Sequence, residues 1–120
     1  MPERKGDKGL FLRSSRDIDY VKQHGRRIST ALFNLLVYRT GVEGGQVGII
    51  IGRRFGNAVR RNRAKRIFRE LTKQIRVDLL SEPAVLVFPK REALSQPFAD
   101  LKVAWRSSLA RQHLLRTKED

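Results

Sequence analysis

The sequence predicts a small α+β fold, an α/β sandwich with a central sheet and helices in the order α-β-β-α-β-α. Three observations predict it. The chain has 120 residues, the size of one domain around one core. Its apolar share of 40% is enough to fill that core. Its apolar residues also alternate between short strand-like runs and longer stretches of helical spacing, with no internal repeat and no interdomain linker.

Each element follows from local chemistry. Residues 1–13 are polar and basic until Leu10, Phe11 and Leu12, which reads as a flexible basic tail closed by a short apolar anchor. Ser14 or Ser15 then caps a first helix running to about Gln23, with Asp17 favourable in its first turn and Gly25 able to end it. Ile18 and Val21 share its core-facing side. Residues 32–38, LFNLLVY, form a strand in which Phe33, Leu35 and Val37 point one way and Leu32, Asn34, Leu36 and Tyr38 the other. Both faces are largely apolar. Gly41, Gly44 and Gly45 supply a turn into a second strand at 47–51, which is expected to pair with the first as an antiparallel hairpin.

A long helix is expected over 57–75. A third strand follows at 84–88, AVLVF, with Pro83 at its entry and Pro89 at its exit. The last helix starts at Ser95 or Gln96, takes Pro97 in its first turn, and buries a stripe of Phe98, Leu101, Trp105 and Leu109. The domain therefore spans 14–115, and residues 116–120 are expected to fray.

Composition removes several functions. Without cysteine there is no disulfide, thiolate metal site or cysteine nucleophile. The two histidines, His24 and His113, lie far apart, and no metal site held by the protein alone is expected. No stretch approaches the roughly 20 apolar residues of a membrane span, and the charged first residues lack a secretory pattern. A cytoplasmic protein with no membrane partner and no obligate protein partner is the resulting expectation. Twenty-six Lys and Arg against twelve Asp and Glu leave a formal charge of +14, which attracts polyanions through salt-sensitive counterion release.

The distribution of that charge favours nucleic acid. Arg53, Arg54, Arg60, Arg61, Arg63, Lys65, Arg66, Arg69, Lys73 and Arg76 fall in one fifth of the chain, with Glu70 the single acid among them. On the long helix, Ala64, Ile67, Phe68, Leu71 and Ile75 make the core stripe, while Asn62, Lys65, Arg66, Arg69 and Lys73 face away. Arg61 and Arg63 stand on its two shoulders, and Arg60 can extend its guanidinium past an aliphatic stem. Arg61, Lys65 and Arg69 succeed one another at every fourth residue, a cationic row about 12 Å long at the helical rise. Such like charges repel one another unless phosphates neutralise them. Arginine meets phosphate through two donors and can stack on bases, whereas lysine is a less directional charge. The preceding turn, GRRFGN, has Gly56 for a tight backbone and Asn57 as N-cap. It is not a Walker loop, lacking the Gly-Lys-Ser/Thr ending.

The string GNAVRRNRAKRIFRE at 56–70 resembles the signature of the bacterial ribonuclease P protein family: Arg61-Asn62-Arg63, then Lys65-Arg66, then Arg69. The stretch 47–59, VGIIIGRRFGNAV, resembles the family strand and turn, with Arg53 and Arg54 where paired lysines are common. The resemblance covers nearly the whole chain in length and element order. It implies a left-handed crossover around the basic helix and a role in precursor transfer RNA maturation. There the protein joins a catalytic RNA, in an endonuclease that hydrolyses one phosphodiester bond to release the 5′ leader.

With the resemblance, an RNA-binding surface is expected at Arg53, Arg54, Asn57, Arg60, Arg61, Asn62, Arg63, Lys65, Arg66, Arg69 and Lys73, of which Arg61, Arg63, Lys65, Arg66 and Arg69 are assigned to the catalytic RNA. A weaker, leader-binding set comprises Phe11, Arg13, Ile18, Lys22, Phe33, Asn34 and Leu36. Mg2+ is the expected divalent ion, held mainly by the RNA, and no residue of the chain is expected to be catalytic. Ile18, Lys22 and Leu36 depart from positions that carry aromatics in the family, so base stacking is expected to be weaker or rearranged onto Phe33, Tyr20 or Phe11. The alternatives are a non-catalytic structured-RNA-binding protein of ribosomal or chaperone type, a DNA-binding factor and an independent nuclease. Precursor cleavage with and without the catalytic RNA separates them.

Overall fold

The computed structural model describes residues 10–39, 46–80 and 83–116. Its elements are α1 (Ser15–His24), β1 (Arg26–Ser29), β2 (Phe33–Tyr38), β3 (Val47–Ile49), α2 (Ala58–Gln74), β4 (Ala84–Pro89) and α3 (Phe98–Arg111). Short 3-10 helices at Arg53–Phe55 and Arg91–Ser95 precede α2 and α3. The class is α+β, with three α-helices on a mixed four-stranded sheet of order β1-β2-β4-β3.

The order differs from the predicted α-β-β-α-β-α by one strand. Residues 26–29, RRIS, pair antiparallel with β2, Arg26 opposite Val37 and Ser29 opposite Asn34. This edge strand is short and mostly exposed, so it carries no apolar run by which to announce itself. Its turn into β2 is closed by Thr30, whose Oγ1 donates to the Phe33 carbonyl at 2.6 Å.

The predicted hairpin between the strands at 32–38 and 47–51 is also corrected. β2 pairs antiparallel with β4, Phe33 opposite Pro89 and Tyr38 opposite Ala84, and β3 pairs parallel with β4 instead. Burial explains the exchange. β2 and β4 are apolar on both faces, and such strands are most stable in the centre of a sheet with both faces covered. The basic β1 and the three-residue β3 occupy the flanks. The glycine turn at 41–45 lies outside the described residues, as do the start of the basic tail at 1–9 and the C-terminal residues 117–120.

Residues 10–12 extend the sheet beyond β3. Leu12 N–H donates to the Val47 carbonyl at 2.8 Å, and Val47 N–H donates to that of Leu10 at 2.9 Å. Leu10, Phe11 and Leu12 are all buried, so the apolar anchor at the end of the tail is part of the folded body.

The sheet separates two apolar layers. On one face Phe33, Leu35, Val37, Val47, Val85 and Val87 meet α2 and α3. Phe33, Phe68 and Trp105 stack edge to face there, with ring centroids 5.5–5.8 Å apart. Each such contact adds about 0.5–1.5 kcal/mol beyond area burial. On the other face, Leu86, Ala84, Leu12 and fully buried Val21 of α1 form a smaller cluster, with Ile18, Leu36, Tyr38, Ile50 and Phe88 packed against it.

α1 has the predicted caps: Ser14 Oγ accepts from Asp17 N–H at 3.4 Å, and Gly25 N–H bonds the Val21 carbonyl. In α3, Leu101, Trp105 and Leu109 are buried as expected, but Phe98 is 38% exposed. Pro97 is the N-cap, and residues 95–100 are all exposed. The first turn therefore stands clear of the core, and the buried stripe begins one turn later.

Candidate nucleic-acid interface

α2 is set by the turn before it. Phe55 is buried and anchors the short 3-10 helix, while Arg53 and Arg54 beside it are exposed. Gly56 follows at φ 156° and ψ −168°, a conformation essentially confined to glycine. Asn57 then caps the helix, its Oδ1 accepting from Arg60 N–H at 2.9 Å. Ala64, Phe68, Leu71 and Thr72 bury one side of α2.

The remaining surface is cationic. Arg60, Asn62, Arg63, Lys65, Arg66, Arg69 and Lys73 are exposed, so the structure brings nearly the whole sequence-predicted RNA set onto one helix surface and the turn below it. Arg61 is the exception in character. It is half-buried, and its Nη1 donates to the Gly56 carbonyl at 2.8 Å, so this arginine clasps the turn to the helix. Arg69 is placed too, its guanidinium carbon 6.0 Å from the centroid of the Phe11 ring. Glu70 accepts from Gln74 Nε2 at 3.3 Å.

Arg60 and Arg63 project to the other shoulder. There they line an open cavity of about 510 Å³ with Arg91, Glu92, Leu94 and Ser95. Arg91 is absent from the sequence-predicted set. The Lys90-Arg91 pair after the apolar strand was its signal, but only the fold brings Arg91 opposite α2. Lys90 is engaged in structure, donating to the Thr30 carbonyl at 2.7 Å.

The leader set is split by the sheet. Asn34 and Leu36 line a shallow cleft of about 180 Å³ with Arg27, Leu35 and Phe88. Ile18, half-buried, and Lys22, exposed, belong to α1 on this same face of the sheet. The Asn34 Oδ1 is buried without a hydrogen-bond partner among the described residues. Arg13 is exposed just beyond the Leu12 anchor.

Phe33 and Phe11 are corrected. Phe33 is 0% exposed in the aromatic cluster on the opposite face, and alternation along β2 sends it away from Asn34 and Leu36. Phe11 is 7% exposed and packs into the same core layer, at the sheet edge beside α2. Neither offers an open ring to a base. Arg27 was missed because β1 was missed; its register opposite Leu36 puts it in the cleft.

Among the described residues no group of three or more His, Asp or Glu side chains could hold a metal ion. His24 ends α1, its Nδ1 3.1 Å from the Tyr20 carbonyl oxygen, and His113 is exposed near the C-terminus.

A family model described as Ribonuclease P matches residues 7–113. The chain is 36% identical over 92 residues to the ribonuclease P protein component of Desulfotalea psychrophila, spanning 75% of this chain and 76% of the relative. To that of Chloroflexus aggregans it is 37% identical over 101 residues, 82% of this chain and 74% of the relative. The solved ribonuclease P protein from Thermotoga maritima superposes with a TM-score of 0.73 at 25% identity, covering 83% of this chain and 94% of that one. The Staphylococcus aureus protein, at 19% identity and a TM-score of 0.74, shares the fold over 91% of this chain and 100% of that one.

Proposed function

The chain belongs to the ribonuclease P protein family, and from that premise we propose which of its surfaces serve which RNA. As the protein subunit of ribonuclease P, it acts with the RNA component to remove the 5′ leader from precursor transfer RNA, and it is not catalytic alone. In our reading the exposed side of α2, with Arg53 and Arg54 below it, docks on the catalytic RNA. The observation that carries this is the run of Asn62, Arg63, Lys65, Arg66, Arg69 and Lys73 in solvent with only Glu70 among them. Arginine-rich helices with so little compensating acid gain stability when phosphates release their counterions.

The opposite sheet face takes the leader. Arg27 supplies charge for its phosphates, Asn34 has a buried acceptor without a partner among the described residues, and Leu36, Ile18 and Phe88 give an apolar floor. Lys22 and Arg13 border it. Leader and catalytic RNA thus lie on different sides of one domain, which takes in the buried Leu10, Phe11 and Leu12 ahead of the expected start at residue 14. The β3–α2–β4 crossover has the left-handed sense of the family.

RNA phosphates would hold most of the contacts to a divalent ion, Mg2+ in this reading, which when bound would activate a water for phosphodiester hydrolysis. The chain's own residues contribute by neutralising phosphate charge and fixing the precursor against the RNA. No helix of the described residues is long and apolar enough to cross a membrane; a cytoplasmic setting, with no obligate protein partner, completes the proposal.

The test is reconstitution. Cleavage of precursor transfer RNA at low Mg2+ is measured with protein alone, catalytic RNA alone, and both. We expect no product from the protein, slow cleavage by the RNA and a clear gain from the pair. Equal rates with and without protein would refute the reading and favour a structured-RNA-binding protein without a part in cleavage.

A further inference from the structure

The 3-10 helix Arg91–Ser95 faces the N-terminal half of α2 across an open cavity, and none of the RNA contacts proposed above involves it. Arg60 and Arg63 make the α2 wall of this cavity, and Arg91, Glu92 and Ser95 line it from the other side.

The second wall is held by the fold. Ala93 is buried in the core layer that packs under α2. Lys90, just before the short helix, donates from its backbone N–H to the Leu32 carbonyl at 2.9 Å and from Nζ to that of Thr30 at 2.7 Å. Ala93 N–H closes the turn on the Lys90 carbonyl at 3.0 Å. Arg91 and Glu92 therefore leave a backbone fixed at both ends, and both side chains stand in solvent. The facing wall is placed as firmly. Arg60 and Arg63 lie three residues apart and share one side of α2. The stem of Arg60 runs over Gly56, where an added Cβ would meet its Cδ at 3.2 Å.

Three guanidinium groups and one carboxylate thus line the cavity, and none of the four has a hydrogen bond or ion pair among the described residues. Arginines gathered without neutralisation repel one another, and a polyanion entering between them offsets that cost.

We propose that this cavity grips one strand of the catalytic RNA, with Arg91 holding a backbone phosphate opposite Arg63 and Glu92 accepting from a ribose 2′-hydroxyl. It rests on the reading that α2 docks on that RNA, and turns a single helix face into a groove with two walls.

Chemistry selects the occupant. Guanidinium groups meet phosphate through paired donors, and the Ser95 hydroxyl adds a neutral one. Glu92 would repel an acidic peptide, whereas a 2′-hydroxyl gives it a proton to accept; that hydroxyl marks RNA against DNA. At about 510 Å³ and open to solvent, the cavity suits a strand passing through more than a small molecule enclosed. Position selects the source. The short helix sits on the α2 side of the sheet, while the leader cleft lies on the other face. Arg63 also belongs to the exposed run of α2 assigned to the catalytic RNA.

The experiment titrates the catalytic RNA with the full chain at several salt concentrations. Arg91→Gln should weaken binding roughly tenfold, the loss of one charged hydrogen bond, and lower the slope of log affinity against log salt by about 0.7–0.9. Its thermal melting should match the parent's. Glu92→Ala gives the sharper sign. Losing a carboxylate that only crowds phosphates would tighten binding, whereas losing one that accepts from ribose should weaken it roughly threefold to tenfold. The chain has no cysteine, so Gln96→Cys can carry a single tethered iron chelate beside the cavity, and its radicals should cut one stretch of the catalytic RNA.

Parent-like affinity and slope for Arg91→Gln overturn the second wall, and unchanged or tighter binding by Glu92→Ala overturns the ribose contact. Cuts in the precursor's leader in place of the catalytic RNA would overturn the occupant. Glutamine at both Lys65 and Arg66 separates this inference from its premise. If that pair also leaves affinity and slope unchanged, the docking of α2 fails with the groove; if it weakens binding and Arg91→Gln does not, only the groove fails.

Discussion

Replacing Lys65 and Arg66 together by glutamine separates a docking surface from a merely solvated one. Both side chains are exposed, and neither has a hydrogen bond or ion pair among the described residues. The fold should not miss them. Lys65 stands four residues from both Arg61 and Arg69, and each like-charge pair at that spacing costs about 0.2–0.5 kcal/mol. Stability should stay level or rise by up to about 1 kcal/mol when both pairs are relieved.

Binding should move the other way. Two phosphate contacts removed should reduce the slope of log affinity against log salt by about 1.4–1.8, taking roughly 0.7–0.9 per phosphate. If each charged hydrogen bond is worth about 1.5 kcal/mol, affinity falls roughly 100-fold at low salt. The assay is titration of the catalytic RNA with protein at several salt concentrations, beside thermal melting of the free protein. An unchanged slope with an intact fold would show that this part of α2 faces solvent in the assembly.

Two further predictions concern the turn that aims α2. Gly56→Ala places a Cβ 3.2 Å from the Arg60 Cδ in a conformation that L residues rarely adopt, and should cost about 1–3 kcal/mol in denaturant unfolding. Parent-like stability would mean that the turn relaxes without penalty. Asn57→Asp keeps an acceptor for Arg60 N–H and adds a charge favourable at a helix N-terminus, so stability should hold or rise by about 0.3–1 kcal/mol while RNA affinity falls. Affinity equal to the parent's would place the N-terminus of α2 away from phosphate.

The local features of the candidate site were legible because they depend on neighbours in sequence. The N-caps Ser14 and Asn57, the buried stripe of α2 and its exposed basic side all follow from spacing within one helix. Arg61 shows where that legibility stops. Its spacing puts it in the row, but its contact with the Gly56 carbonyl depends on the tertiary path of a turn.

The cleft was less legible. Alternation correctly separates Phe33 from Asn34 and Leu36, yet it does not say which face is covered by two helices and which by α1 alone. That is why Phe33 entered the leader set. The exposed basic β1 left no apolar pattern, which hid both a strand and Arg27. Arg91 joins Arg60 and Arg63 only through the fold.

The sequence by itself determined an α+β domain, an arginine-rich helix with a capped N-terminus, and the family to which its motif points. Periodicity, capping and like-charge crowding act over a few residues, so they survive without knowledge of the fold. Only the tertiary structure decided the strand order β1-β2-β4-β3, the inward turn of Phe33 and the meeting of Tyr20 with Tyr38 across eighteen positions. Those outcomes depend on competition between distant strands for the sheet's buried centre, and no local pattern records which of them wins.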